Sequence, residues 1–165
     1  MKRHLLIVSL IALSIFTSAC GWQLRGFETK AGQESSEKLR LLNVYSENRS
    51  SEFYQALRTM LGRYRVSEQT NAEITLRYGK EHFERKPLAY GSTGIPVQYQ
   101  LMMTIDFEAL RGPKTLIESK TLIVRRNYDF DAELLIAKDR EEQALRREMR
   151  EDLAAQMLRL INAQL

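Results

Sequence analysis

Cysteine is nearly missing from this chain of 165 residues. Its single cysteine, Cys20, excludes a disulfide framework and a multi-cysteine zinc site. Histidine is almost as scarce, and neither histidine nor cysteine stands near His82 to complete a transition-metal site. An excess of one charge is also lacking. The 25 basic and 21 acidic residues leave a formal +4, which excludes a strongly polybasic nucleic-acid binder and an acidic tail protein. The apolar run at the N-terminus, residues 5–16, is short of the roughly 20 residues that a membrane-spanning helix needs. There is no internal repeat and no low-complexity block. What is present is ordinary for one globular domain: 44% hydrophobic and 28% charged residues.

The first residues set the compartment. Met1-Lys2-Arg3-His4 is a short positive start, residues 5–16 are apolar apart from Ser9 and Ser14, and Thr17-Ser18-Ala19 supplies small residues before Cys20. This is the layout of a secretory signal peptide over residues 1–19. Its loss removes Lys2 and Arg3, leaving 23 basic against 21 acidic residues and a charge of +2. Thr17-Ser18-Ala19-Cys20 resembles the bacterial lipobox, with Thr17 in place of the usual Leu. That resemblance implies that Cys20 becomes the lipid-modified first residue, which also accounts for a lone thiol in an exported chain. Two acyl chains suffice for stable anchoring, and the lipobox implies more than that. A residue other than Asp after the cysteine, here Gly21, implies the outer membrane.

Residues 20–38 read as the acylated N-terminus and a polar tether, and residues 39–165 as a single α/β domain. Residues 39–45 form a first strand. Ser50 and Ser51 offer a cap to a helix whose face is Phe53, Ala56, Leu57, Met60 and Leu61, with Gly62 as terminator. Ala72, Ile74, Leu76 and Tyr78 alternate with polar residues in a half-buried strand. Residues 87–96, with two Pro and two Gly, read as a loop or hairpin connection. Val97, Tyr99, Leu101, Met103, Ile105, Phe107 and Ala109 then occupy one face of a long strand, opposite Gln98, Gln100, Met102, Thr104, Asp106 and Glu108. Residues 111–114 turn, and residues 115–128 return as a strand. Unbroken, both long strands would run to roughly 40 Å, so a bulge or bend is expected. Residues 132–165 read as one long helix, with any break placed near Lys138. Its stripe is Leu145, Met149, Leu153, Met157, Leu160 and Ile161, and Glu142 and Arg146 form a well-oriented i,i+4 pair. The order β-α-β-β-β-α predicts an α+β two-layer sandwich, with two helices on one face of a four-stranded, mainly antiparallel sheet.

Catalytic chemistry finds little support. The lone thiol is a blocked N-terminus, and His82 sits in a charged stretch as a strand-end surface residue. No G-x-S-x-G elbow occurs. Gly91-Ser92-Thr93-Gly94 lacks the lysine of a phosphate-binding loop and opens no helix. Asn127, Asp129 and Asp131 lack the glycine and terminal glutamate of a calcium loop, and Asp131 reads as a helix N-cap. Arg125-Arg126 and Arg85-Lys86 are small basic clusters without interleaved aromatics, which argues against nucleic acid. The phosphates that an exported lipoprotein meets belong to lipids. No catalytic residue, metal or cofactor is expected; the pattern is that of a binding or assembly module.

Three segments carry a family resemblance. Cys20-Gly21-Trp22-Gln23-Leu24-Arg25-Gly26 resembles the C-G-[FW]-x-L-R-G start of the lipopolysaccharide-assembly lipoprotein family LptE, also called rare lipoprotein B. Val97-Gln98-Tyr99-Gln100 is similar to its x-x-Y-Q strand start, and residues 135–142 (LIAKDREE) to its L-x-A-K-[DE]-x-E-x segment. The resemblance spans the mature chain. It implies a domain that sits inside the lumen of the outer-membrane β-barrel LptD, plugs it and supports its assembly, and binds lipopolysaccharide on its way to the outer leaflet. The family's lysine falls on Lys138, where an ammonium near a helix start can meet a lipid phosphate as a point charge. The family's second basic residue falls in the stretch 89–94, which has no Arg or Lys, so Arg85 and Lys86 stand in as the nearest positives. A free-standing periplasmic lipid-binding lipoprotein is the alternative, and it would need an enclosed apolar pocket. A lipoprotein hydrolase would need a nucleophile or metal site.

Overall fold

The computed structural model describes residues 38–165. The segment expected to be a signal peptide (1–19), Cys20 and the expected tether up to residue 37 lie outside the described residues.

Strand β1 (Leu41–Tyr45) leads to helix α1 (Glu52–Arg63) and a two-residue strand β2 (Ser67–Glu68). Strands β3 (Ile74–Tyr78), β4 (His82–Tyr90), β5 (Pro96–Arg111) and β6 (Lys114–Asp129) follow. A 3-10 turn (Ala132–Leu134) then opens helix α2 (Leu135–Ala163). Ser51 caps α1, its hydroxyl accepting from the Tyr54 amide at 3.1 Å. Gly62 lies inside the last turn of α1, and the left-handed residue beyond the helix is Arg65, at φ 56°. Asp131 caps the 3-10 turn, as its sequence position predicts, accepting from the Glu133 amide at 2.9 Å. From Leu135 onward α2 is continuous, so no break falls at Lys138.

The fold is α+β, with two helices against one curled sheet, but the sheet has six strands where four are predicted. Two strands escape period-two reading for physical reasons. β2 is two residues long. β4 runs along a sheet edge, paired only with β5, and its exposure does not alternate. Pro87, expected in a loop, sits inside this edge strand, where its missing N–H costs no ladder bond and the register shifts beside it. The sheet is mixed. β1 pairs in parallel with β2 and β3, while β5 pairs antiparallel with β3, β4 and β6. β5 is the spine: β3 and β4 follow one another along one flank, and β6 takes the other. The expected irregularity in the long pair is a register shift around Ala109.

Leu101, Met103, Ile105, Phe107 and Ala109 of β5 are buried as the alternation predicts. Met149, Leu153, Met157 and Ile161 of α2 and Phe53, Leu57, Met60 and Leu61 of α1 meet them in one core. Each large side chain taken from water here stabilises the fold by about 1.5–3 kcal/mol. Val97, at the start of β5, is exposed instead, and belongs to the end of the molecule described next.

Candidate functional site

The start of β5 and the end of β6 lie side by side, with Gln98 opposite Asp129 and the Phe130 amide donating to the Val97 carbonyl at 2.8 Å. That pairing brings the β4–β5 hairpin and the junction into α2 to the same end of the sheet. The hairpin closes through Gly94 at φ 77°, a left-handed position that favours glycine. This end is apolar and open. Leu88, Tyr90, Ile95 and Val97 of the hairpin and Leu134, Leu135 and Ile136 of the junction are all exposed, Ile136 to 73%. They make up most of the large apolar side chains exposed among the described residues, so exposed apolar surface is concentrated in these two segments.

The three basic residues singled out from sequence fall differently around this end. Lys138 lies in the first turn of α2, its side chain largely covered and its Nζ 2.8 Å from Glu141 Oε2. Arg85 stands opposite Leu101, on the helix side of the sheet. Its guanidinium lies 3.7 Å from the Tyr99 ring centroid, with Phe130 at 5.3 Å and Tyr128 at 6.0 Å. Its Nη1 is 3.3 Å from Glu142 Oε2. Because neighbouring strand residues point to opposite faces, Lys86 stands opposite Gln100 on the outer face, 3.2 Å from Glu84. The fold therefore gathers Arg85 and Lys138 on one side of the end and leaves Lys86 on the other.

Glu142 is the residue that sequence reading undervalued. The Glu142–Arg146 pair is present, but Glu142 is 6% exposed and does more than pair along its helix. Its Oε2 accepts from the Tyr128 hydroxyl at 2.6 Å and faces Arg85, while Oε1 accepts from Arg146, whose guanidinium lies 3.8 Å from the Phe83 ring centroid. One carboxylate thus serves two guanidiniums. Burial by itself would raise the Glu142 pKa, but the hydrogen bonds from Tyr128 and Arg146 and the charges of Arg85 and Arg146 outweigh it and hold it below the usual range. The same burial, with Glu142 alongside, pushes the Tyr128 hydroxyl up. An acid within a basic helical stretch carries no sign of this role, because the partners come from β4 and β6.

The outer face of the sheet is polar. Gln98 donates to Asp129 at 3.0 Å and Gln100 to Asn127 at 3.3 Å, Thr121 bonds Asp106, and Arg77 meets Glu108 at 3.3 Å. Arg125 lies on this face opposite Met102, whereas Arg126 turns inward to Asp152 of α2. His82 is exposed at the first position of β4. Two open grooves flank α1, one of about 560 Å³ lined by Arg49, Tyr54, Arg58 and Glu68, the other of about 390 Å³ lined by Glu47, Glu52, Phe53 and Tyr78. Neither offers the enclosed apolar wall of an acyl-chain pocket. Among the described residues no helix is long and apolar enough to cross a membrane, and no group of His, Cys, Asp and Glu is placed to hold a metal ion.

An α+β fold of two helices against a curled mixed sheet is shared with small bacterial lipoproteins of known structure. The crystal structure of rare lipoprotein B from Shewanella oneidensis matches with a TM-score of 0.66 and 26% identity, over 75% of this chain and 95% of that one. The solution structure of an uncharacterized lipoprotein B from Nitrosomonas europaea shares the fold, with a TM-score of 0.66 at 19% identity over 87% of this chain and 91% of that one. Within that class the chain belongs to the LptE lipopolysaccharide-assembly family, whose profile matches residues 41–161. It is 26% identical over 162 residues, 95% of this chain and 85% of the relative, to the LPS-assembly lipoprotein LptE of Pectobacterium atrosepticum. The family is one of non-enzymatic lipoproteins.

Proposed function

We propose that this chain is an outer-membrane lipoprotein, anchored on the periplasmic side through acylated Cys20, that plugs the lumen of the LptD β-barrel, supports its assembly and binds lipopolysaccharide during transport to the outer leaflet. The observation that carries the reading is the composition of one end of the sheet: exposed Leu88, Tyr90 and Ile95 in the hairpin and Leu135 and Ile136 at the helix junction, with Arg85 on β4 and Lys138 on α2. Apolar side chains in water beside cations match a ligand with acyl chains and phosphates joined in one molecule. Arg85 suits the phosphate. Its guanidinium is held in place by the Tyr99 face and by the charge of Glu142, and hydrogen bonds from its N–H groups to protein acceptors are lacking among the described residues. Lys138 would supply a second positive charge, and Lys86, across the sheet, would meet the lipid separately if at all.

The plug role draws support from the hydrogen-bonded ladder on the outer face, since barrel lumens are polar. Affinity isolation of the tagged, acylated protein from its own outer membranes, with mass spectrometry of what is retained in detergent, tests it. A single large β-barrel at equal stoichiometry is the expected result. Recovery of lipid without a barrel would replace the plug with a free-standing lipid carrier.

A further inference from the structure

Among the described residues Glu142 is the sole carboxylate in contact with both Arg85 and Arg146, and it is buried while Arg85 remains about one-third exposed. The cluster therefore carries one more positive charge than its internal counter-ion neutralises. Lys138 sits one helical turn earlier on α2, occupied by the more exposed Glu141. Arg85 touches Glu142 through Nη1 alone, and its ring contacts with Tyr99 and Phe130 do not depend on that carboxylate. Holding the guanidinium in its aromatic cage therefore does not require Glu142.

We propose that Glu142 is a positioning residue that sets the affinity of this end for a lipid-borne phosphate, as an internal counter-ion that the phosphate displaces from Arg85 while Arg146 keeps it in place. The proposal rests on the lipopolysaccharide reading of this end. Tyr128 takes part: its hydroxyl donates to the very Glu142 oxygen that faces Arg85, and so withdraws negative charge from that contact.

The test measures binding of lipopolysaccharide, native and with its lipid phosphates removed, to the full-length acylated protein in detergent. Glu142→Gln is expected to bind the phosphorylated lipid about two- to fivefold more tightly than the unaltered chain, the range of one partly exposed ion pair. It should leave binding of the dephosphorylated lipid unchanged. Tyr128→Phe should weaken binding of the phosphorylated lipid, because Glu142 then holds Arg85 harder. A purely structural role would move both variants in the same direction and on both lipids alike. Equal affinity of Glu142→Gln and the unaltered chain for the phosphorylated lipid overturns the proposal. So does a gain that persists without the phosphates. If Glu142→Gln does not fold, Tyr128→Phe decides, and undiminished binding overturns it. An unaltered chain that binds neither lipid, or both equally, removes the phosphate reading of this end and the proposal with it.

Discussion

Arg150, buried on α2, grips the carboxylate of Glu81 in the connection between β3 and β4, its Nε 2.9 Å from Oε2 and its Nη2 2.8 Å from Oε1. The same guanidinium also meets Glu52 at the start of α1. One side chain thus ties both helices to the point where two strands succeed each other along β5. Burial alone would lower the Arg150 pKa, but Glu81 and Glu52 reverse that and hold its charge. Removing one partner of a buried pair leaves the other charge uncompensated. Glu81 and Glu52 are partly exposed and can rehydrate, so Arg150→Ala is expected to destabilise the domain by about 1–3 kcal/mol, read from chemical denaturation. A loss under 1 kcal/mol would mean that water takes over the role of the guanidinium.

Acid should loosen the other cluster. The Glu142 pKa is below its ordinary value of 4.5, so its ionised form is bound more favourably in the folded chain than in the unfolded one. That contribution is complete above 4.5 and is lost as the pH falls through the lower folded-state value. Denaturation midpoints should drop below pH 4.5 in the unaltered protein, and the drop should be shallower in Glu142→Gln. Parallel curves for the two proteins would assign acid sensitivity to other carboxylates.

The Lys138 side chain is largely covered, but its ion pair among the described residues is local, to Glu141 of the same helix, so reversing its charge should not unfold the domain. Lys138→Asp is expected to keep the thermal transition within a few degrees and to weaken lipopolysaccharide binding by roughly fivefold or more. Equal affinity would remove Lys138 from the site.

The apolar end makes a complementary prediction. Leu135 and Ile136 are 60% and 73% exposed, so Leu135→Ser and Ile136→Ser together should shift stability by less than about 1 kcal/mol. Lipid binding or barrel retention should fall all the same. A large loss of stability with binding intact would make these residues part of the core.

Acylation is the remaining proposal. Cys20→Ser should abolish labelling by a radioactive fatty acid, and unchanged labelling would remove the anchor.

How far the sequence could be read varies with the type of order involved. Val97 to Ala109 announces a strand because apolar residues recur at period two, and α2 announces itself through Met149, Leu153 and Met157. β4 is silent because an edge strand with both faces partly wet has no alternation to show. Site residues follow the same rule. Lys138 stands out as a candidate through a local segment, whereas the division of Arg85 from Lys86 becomes clear only with the register of β4 on β5. Val97, counted with the core, proves to be part of the exposed end.

The sequence by itself determined the two helices, the long β5–β6 hairpin, the α+β class and the family resemblance, because these rest on periodicity and on contiguous motifs. Tertiary structure alone decided the six-stranded mixed sheet, the apolar end built from two distant loops, and the place of Glu142 between Arg85 and Arg146. Those features depend on which strands pair and in what register, and the hydrogen bonds that settle pairing are made by a backbone common to every residue type.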